Sequence, residues 1–231
     1  MDCFNTETLI VFDYDDTLFP TTFILDKLRN SNSFRQNEIE IKKEIFKFSE
    51  SLYNLLNDYI GMYSTKNIYI ITSSSKGWIQ QSLLSFIHIG YFKNIYDLFF
   101  GESTVNKINI IYRNESKNSE KTKMYQFELL FNKHFGNKQH DHYTIVSIGD
   151  SITEFNDSKL VAQKYFKKKK SNSKYILHQI KLTSKPTIKV MIEQSHLLRK
   201  LCTHFIIYSV NNKSIAFDYH KQKMSWLYNV Y

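Results

Sequence analysis

Residues 9–17, LIVFDYDDT, contain an apolar run that ends abruptly in three carboxylates, and the expected fold and site both follow from this pattern. The run from Leu9 to Phe12 predicts a buried strand. Carboxylates crowded behind such a strand repel one another and lose hydration, so they are best tolerated beside a cation or a bound substrate. Ligands also bind at this edge of open α/β sheets. The stretch therefore predicts an active-site strand with a metal nearby.

The spacing of two of these acids suggests a mechanism. Asp13 and Asp15 are two residues apart, so both point to one side if the chain is still extended. One carboxylate can then attack an electrophile while the other handles a proton. The simpler alternative is a turn, since Asp, Thr and Pro are common turn formers. A plain turn does not need three acids behind a buried strand.

Composition bounds the class of protein. The chain has 231 residues, 42% hydrophobic and 16% aromatic, enough for one good core or one core with a small insert. Its two cysteines suggest no disulfide framework, and no secretory signal or membrane span is visible, so we expect a cytoplasmic protein, with a nuclear location left open. The net charge of +9 fits either an anionic partner or the compositional drift of a Lys- and Asn-rich chain.

Alternating strand and helix patterns predict an α/β fold with a five-stranded parallel sheet and helices on both faces. The predicted strands are residues 9–12, 67–72, 107–113, 142–148 and 175–182. The predicted helices include 37–63, 77–89, 120–135, 158–166 and 186–202. We expect a core domain over 1–202 with a polar, irregular flap at 18–36, and an extension over 203–231. Within that extension, 205–210 and 214–219 predict a β-hairpin.

Residues 13–18, DYDDTL, resemble the DxDxT motif that opens the haloacid dehalogenase (HAD) superfamily. Three further segments, up to residue 157, resemble the second, third and fourth motifs of that superfamily and follow in the same order along the chain. The resemblance implies a Rossmann-like core and phosphate transfer, with Asp13 as nucleophile and Asp15 as acid and base. A second aspartate favours phosphate transfer over dehalogenation, where the superfamily lacks it.

The second and third motifs supply phosphate ligands. Thr72 ends a hydrophobic strand as the second motif does, and the resemblance makes Thr72 and Ser73 phosphate-binding residues. The simpler interpretation is a helix N-cap, because Ser73, Ser74 or Ser75 before the next helix is an ordinary helix start. The third motif is a lysine that neutralises phosphoryl charge; Lys123 is preferred and Lys121 is the alternative.

The fourth motif, GDxxxE, is matched by GDSITE at residues 149–154, and it implies metal ligation. Asp150 would bind Mg²⁺ directly, and Glu154 would bind it directly or through water. Asp13 and the backbone carbonyl of Asp15 complete the implied ligand set, with Asp157 a weaker candidate. Locally, the pattern also resembles a helix capping box.

The short intervals between motifs leave room for no more than a minimal cap, and an open site suits a phosphorylated substrate as large as a macromolecule. We therefore expect a Mg²⁺-dependent phosphohydrolase. The alternatives are a phosphotransferase and a non-catalytic protein that binds phosphate or nucleic acid. A zinc site at His134, His140 and His142 is disfavoured by their spacing. A basic run at 167–170 is more simply a solvated loop than a nucleic-acid contact.

Overall fold

The strands of the described residues form a single sheet. The computed structural model describes residues 6–29, 38–87, 90–102, 107–113, 122–136, 140, 142–168, 174–210, 214–219 and 223–227. The strands in these ranges are β1 Thr6–Asp13, β2 Ile68–Ile71, β3 Asn109–Ile111, β4 His142–Gly149, β5 Lys174–Lys181, β6 Ser214–Asp218 and β7 Lys223–Leu227. Their order is β3-β2-β1-β4-β5-β6-β7. The first six are parallel and β7 runs antiparallel to β6.

Helices cover both faces of this sheet. They are α1 Thr21–Arg29, α2 Glu38–Tyr63, α3 Lys76–Ile87, α4 Lys93–Phe100, α5 Thr122–Phe135, α6 Ile152–Lys168 and α7 Ile188–Val210. The two faces follow from the alternation of side chains along each strand. In β1, Ile10 and Phe12 join a core with α2, α3, α4 and α7, whereas Leu9 and Val11 join a core with α5 and α6. The predicted Rossmann-like α/β arrangement is confirmed.

The number of parallel strands differs from the prediction. All five predicted strands are present, but β6 pairs in parallel with β5 and makes a sixth. The predicted hairpin of 205–210 with 214–219 is wrong, because 205–210 continues α7. The hairpin partner of β6 is instead β7.

The helical course of 205–210 has a packing reason. Leu198, Leu201, Cys202 and Phe205 are all buried at steps of three and four residues, so the apolar stripe of α7 extends past residue 202. Ile206 and Ile207 are exposed on the other side of the helix. Their β-branched side chains suggested a strand, and the helical stripe outweighs that preference. The helix therefore runs across the boundary that we placed at residue 202.

The predicted irregular flap at 18–36 also contains a helix, α1, while residues 30–36 lie outside the described part of the chain. Asp16 caps this helix, because its carboxylate accepts hydrogen bonds from the backbone N–H and the hydroxyl of Thr22. Phe23 and Ile24 then pack against the larger core. No helix within the described ranges combines the length and apolar character needed to cross a bilayer.

A buried histidine of β5 forms a hydrogen bond that helps hold β6 in the sheet. His178 of β5 is fully buried; its Nδ1 accepts the N–H of Ile215, and its Nε2 lies 2.9 Å from the hydroxyl of Ser209. The Ser209 hydroxyl donates to the Phe205 carbonyl, so Nε2 is the donor to Ser209. These bonds satisfy a neutral imidazole, and burial lowers the pKa of His178 to about 4.

His178 should make the free energy of unfolding depend on pH. Because its folded pKa lies below the unfolded value of 6.5, the unfolded chain binds the proton more tightly. The stabilising contribution is present above pH 6.5 and is lost as pH falls through about 4. We expect the free energy of unfolding of the natural protein to fall more steeply over this interval than that of His178→Gln, by up to roughly 3 kcal/mol. Urea unfolding at each pH measures this.

The control for that experiment is the exposed His204, changed to Gln. Its slope with pH should match that of the natural protein. Equal slopes for the His178→Gln variant and the natural protein would contradict the neutral assignment of His178.

Candidate active site at the sheet edge

The carboxyl ends of three neighbouring strands bring distant residues together. Asp13 is the last residue of β1 and lies opposite Ile71, the last residue of β2. Phe12 lies opposite Ile148 in β4, so Gly149 and Asp150 follow beside Asp13. The chain crosses to β2 and β3 on one side of β1 and to β4 and β5 on the other. Ligands of open α/β sheets bind at such a point of divergence.

Three carboxylates converge at this point. Asp13, Asp150 and Glu154 each offer an oxygen atom, and these oxygens all lie within 4.8 Å of one another. Asp13 and Glu154 are each only 7% exposed, and Asp150 is half-buried. The group could hold a metal ion.

One lysine neutralises part of this charge. Lys123 in α5 is buried, and its Nζ donates to a carboxylate oxygen of Asp13 and lies 2.8 Å from Glu154 Oε1. The same Nζ donates to the carbonyl of Ile71 at 3.3 Å. Three carboxylates and one ammonium still leave two negative charges, which is the charge that a divalent cation matches. The alternative lysine, Lys121, lies outside the described residues.

Burial is the main cause of the raised pKa values of the two aspartates in this group, and neighbouring charges modify it. Burial raises the pKa of Asp13 to about 8; the charge of Glu154 adds to this, and Lys123 opposes it. Burial and the charges of Asp13 and Asp16 raise the pKa of Asp150 to about 6. Burial alone would lower the pKa of Lys123, but Asp13 and Glu154 outweigh it and raise that pKa. The ammonium therefore stays charged while the carboxylates compete for protons.

Gly149 makes room for this arrangement. A Cβ atom at residue 149 would lie 2.0 Å from Glu154 Oε2 and 3.1 Å from Glu154 Cδ. Because Glu154 is itself buried, its side chain cannot step aside without leaving the group. The GDxxxE motif contains this glycine, but the motif alone gives no reason for it. In the structure, the absence of a Cβ at residue 149 lets the Glu154 carboxylate lie against the backbone at the end of β4.

Three buried oxygens at this edge have no hydrogen-bond partner among the described residues: Glu154 Oε2, Thr17 Oγ1 and Gln126 Oε1. A buried carboxylate oxygen without a partner is costly, and a cation removes that cost. An all-oxygen donor set of carboxylates suits a hard divalent cation such as Mg²⁺ or Ca²⁺ rather than a thiol- or imidazole-seeking metal. The residues present therefore fit the predicted kind of ion.

Asp15 has a different environment from Asp13. Its Oδ1 accepts from the Trp78 indole N–H at 2.8 Å and from the Thr21 hydroxyl at 2.6 Å. Its Oδ2 accepts from the hydroxyls of Ser74 at 2.9 Å and Thr72 at 3.3 Å. The side chain lies outside the three-carboxylate group found among the described residues. Ligation through the Asp15 carbonyl stays a prediction.

The hydroxyl residues after β2 line the same edge. Thr72 is fully buried, and its Oγ1 accepts the N–H of Ser74. Ser73, between them, is exposed. Gln126 of α5 fixes this strand end, because its amide donates to the carbonyls of Thr72 at 2.6 Å and Ile111 at 3.2 Å.

Other acids and histidines from the sequence analysis have local roles. The half-buried Asp157 accepts a hydrogen bond from the backbone of Met124, in the first turn of α5, and thereby caps that helix. His134 and His140 both lie near Glu7, close to the amino end of β1, with nitrogen–oxygen distances of 3.0 and 3.6 Å. That end of the strand is opposite to the acids.

Sequence reasoning missed three of the groups around Asp15. Trp78 and Thr21 had no predicted role at this site, and Ser74 was predicted only as a possible helix cap. Their positions held a signal, since Ser74 lies in the loop after β2, Trp78 lies in the first turn of α3, and Thr21 comes soon after the acidic motif. Only the folded geometry shows that all three donate to one carboxylate.

The chain matches no known protein-family profile, no curated protein and no solved structure in sequence or structure comparisons. The site therefore has to be interpreted from its own chemistry.

The repulsion among these acids should be measurable. In the metal-free protein the pKa values of Asp13 and Asp150 lie above their unfolded values, so their stabilising contribution is complete below about pH 4 and is lost as pH rises through about 6 and 8. We expect Asp150→Asn to raise the metal-free Tm at pH 8 by about 2–4 °C, or roughly 1 kcal/mol after allowing for the partial exposure of Asp150. The gain should vanish near pH 4.

Added Mg²⁺ should reverse the difference in Tm between the natural protein and Asp150→Asn. It should raise the Tm of the natural protein more at pH 8 than at pH 5.5, and should raise that of Asp150→Asn much less. Asp26→Asn, an exposed acid on α1, is the control and should behave as the natural protein does. A Tm that is insensitive to Mg²⁺ at every pH would contradict a cation site here.

Gly149→Ala tests the packing of Glu154 separately. The new Cβ should displace Glu154 and remove most of the Mg²⁺-dependent rise in Tm, because one carboxylate leaves the group. Gly61→Ala is the matched control, since a Cβ there meets no atom within 4 Å. Thermal unfolding with and without Mg²⁺ measures both, and an unchanged Mg²⁺ response in Gly149→Ala would show that the cation does not need Glu154.

Proposed function

We propose that the chain is a Mg²⁺-dependent phosphohydrolase of the HAD superfamily that cleaves a phosphomonoester through an aspartyl-phosphate. The observation that carries this proposal is the buried group of Asp13, Asp150 and Glu154 with Lys123 in contact. A second aspartate, Asp15, lies two residues from Asp13 in a different hydrogen-bonding environment. Such a pair can divide nucleophilic and proton-transfer roles.

Asp13 is the proposed nucleophile. One of its carboxylate oxygens attacks phosphorus in line, an oxygen–phosphorus bond forms, and the ester bond to the leaving oxygen breaks. When bound between Asp13, Asp150 and Glu154, with the Asp15 carbonyl as the further ligand, Mg²⁺ would neutralise charge on the phosphoryl oxygens and keep Asp13 ionised. Lys123 adds a fixed positive charge beside the nucleophile and orients it.

Asp15 is the proposed acid and base. Its protonated form gives a proton to the leaving oxygen in the first step, and its carboxylate takes a proton from water in the second, when water releases phosphate from Asp13. The hydroxyls of Thr21, Thr72 and Ser74 can rotate from donor to acceptor, so the site can accommodate a proton on Asp15.

Thr72, Ser73 and Lys123 are proposed to hold the phosphoryl oxygens. Support comes from the position of Thr72 and Ser73 directly after β2, beside Asp13 in the register of the sheet. Hydroxyl and backbone N–H groups at such a strand end can donate to an anion, and the exposed Ser73 is open to a ligand.

Two alternatives share this site chemistry. A phosphotransferase would pass the phosphoryl group from Asp13 to an acceptor other than water, and its product would be a new phosphoester. A non-catalytic protein would bind phosphate or nucleic acid without turnover. The buried acids support catalysis over simple anion binding, because carboxylates repel an anion unless a cation lies between them.

Asp13→Asn should abolish Mg²⁺-dependent phosphate release, by at least about 10³-fold, because an amide cannot form the phosphoenzyme. Asp15→Asn should slow the reaction by about 10²–10⁴-fold and should let the phosphoenzyme accumulate after acid quenching. The measurements are phosphate release across a panel of phosphomonoesters and the intact mass of the quenched protein. Asp97→Asn, at an exposed carboxylate of α4, is the control.

An unchanged rate in Asp13→Asn would refute the assignment of the nucleophile. Binding of a polyanion without Mg²⁺-dependent turnover of any panel member would instead favour a binding protein.

A further inference from the structure

An apolar cavity of about 480 Å³ lies between α1, α2 and α3. This volume is within the range of small-molecule sites, roughly 300–1,000 Å³. Three helices supply its main apolar walls: Phe23 and Ile24, Ile41 and Ile45, and Trp78 and Phe86. Of the described residues that line it, Lys27 is the only charged one, and its Nζ lies 5.5 Å from the centre of the Phe23 ring.

The cavity adjoins the candidate active site through two shared residues. The Trp78 ring lines the cavity while its indole N–H donates to Asp15 at 2.8 Å. Phe19 also lines the cavity, and its backbone forms a bridge with that of Asp15. One side chain therefore separates the Asp15 carboxylate from the cavity.

Among the described lining residues, the cavity offers a polar ligand mainly the Gln81 amide and the Lys27 ammonium, because its hydroxyls are already bonded. The hydroxyl of Ser82 pairs with Tyr14 and with the carbonyl of Ile79, and that of Ser85 donates to the carbonyl of Gln81. A sugar or nucleoside bound there would lose hydration without gaining equivalent hydrogen bonds, whereas an apolar group would gain from burial.

We infer that this cavity binds the apolar carbon skeleton of the leaving group, so that the substrate is a monophosphate ester of an apolar alcohol or phenol. The inference rests on the proposed function, in which Asp15 protonates the leaving oxygen. That role puts the leaving group on the Asp15 side of the phosphorus atom, and the cavity is the apolar space beyond Asp15. The Trp78 ring then contacts the leaving group while its N–H holds the acid.

The test compares hexyl phosphate with methyl phosphate, which have the same reacting bond and differ only in the apolar tail. We expect kcat/KM for hexyl phosphate to exceed that for methyl phosphate by about tenfold or more. Ser85→Phe places a ring in the cavity and should reduce this ratio severalfold, chiefly through KM for the hexyl ester. Leu84→Phe, at the exposed neighbour on the same helix and outside the cavity lining, should leave the ratio unchanged.

Binding of hexylphosphonate and methylphosphonate, whose carbon–phosphorus bonds resist hydrolysis, separates this inference from the proposed function. Calorimetry with Mg²⁺ present should show tighter binding of hexylphosphonate, and Ser85→Phe should weaken it. That result without turnover of either ester, or of any member of the phosphomonoester panel, would support binding of an apolar tail in the cavity and refute the phosphohydrolase. Turnover of both esters at equal kcat/KM, unaffected by Ser85→Phe, would overturn the cavity assignment and leave the phosphohydrolase intact. Absence of both turnover and binding would overturn both.

Discussion

Two buried carboxylates and one half-buried carboxylate share a single ammonium group at one edge of the sheet, and the character of the site follows from this imbalance of charge. Asp13, Asp150 and Glu154 carry more negative charge than Lys123 can neutralise. Burial first, and then the charge of neighbouring acids, raises the pKa of Asp13 and of Asp150. Burial of unpaired charge is costly, and residues that accept such a cost usually do so for function. Gly149 preserves the arrangement, because any side chain at that position would push Glu154 out of the group.

The parallel sheet makes this concentration of charge possible. Asp13 and Asp150 are far apart in sequence, but they follow adjacent parallel strands whose carboxyl ends meet at one edge. Lys123 arrives from α5, which packs on the face formed by Leu9 and Val11. The alternation of apolar side chains in β1 therefore determines both faces of the core and the edge where its terminal acid lies. The fold and the site share one short stretch of sequence.

Much of this was predictable, and the errors have physical causes. Short apolar runs followed by polar residues predicted the five strands, and the acids at their ends predicted the group that could hold a metal. The strand at 214–219 was predicted, but its place as the sixth parallel strand was not. The evidence for that pairing is tertiary, because β6 is held by the bond from Ile215 to the buried His178, far away in sequence. Residues 205–207 favour a strand by local propensity, yet Phe205 packs in the helical stripe. Likewise, no local pattern shows that the Trp78 indole reaches Asp15.

Asp13 and Asp15 are distinguished by their surroundings rather than by their spacing in the sequence. Asp13 is surrounded by charge, with Glu154 and Asp150 opposed by Lys123, so its ionisation follows the cation content of the site. Asp15 is surrounded by neutral donors, three of which are hydroxyls that can reverse their hydrogen bonds as a proton arrives or leaves. A cation-controlled carboxylate suits a nucleophile, and a carboxylate with adaptable partners suits proton transfer. The fourth donor, Trp78, cannot reverse, so it fixes the orientation of Asp15 and places that acid against the apolar cavity.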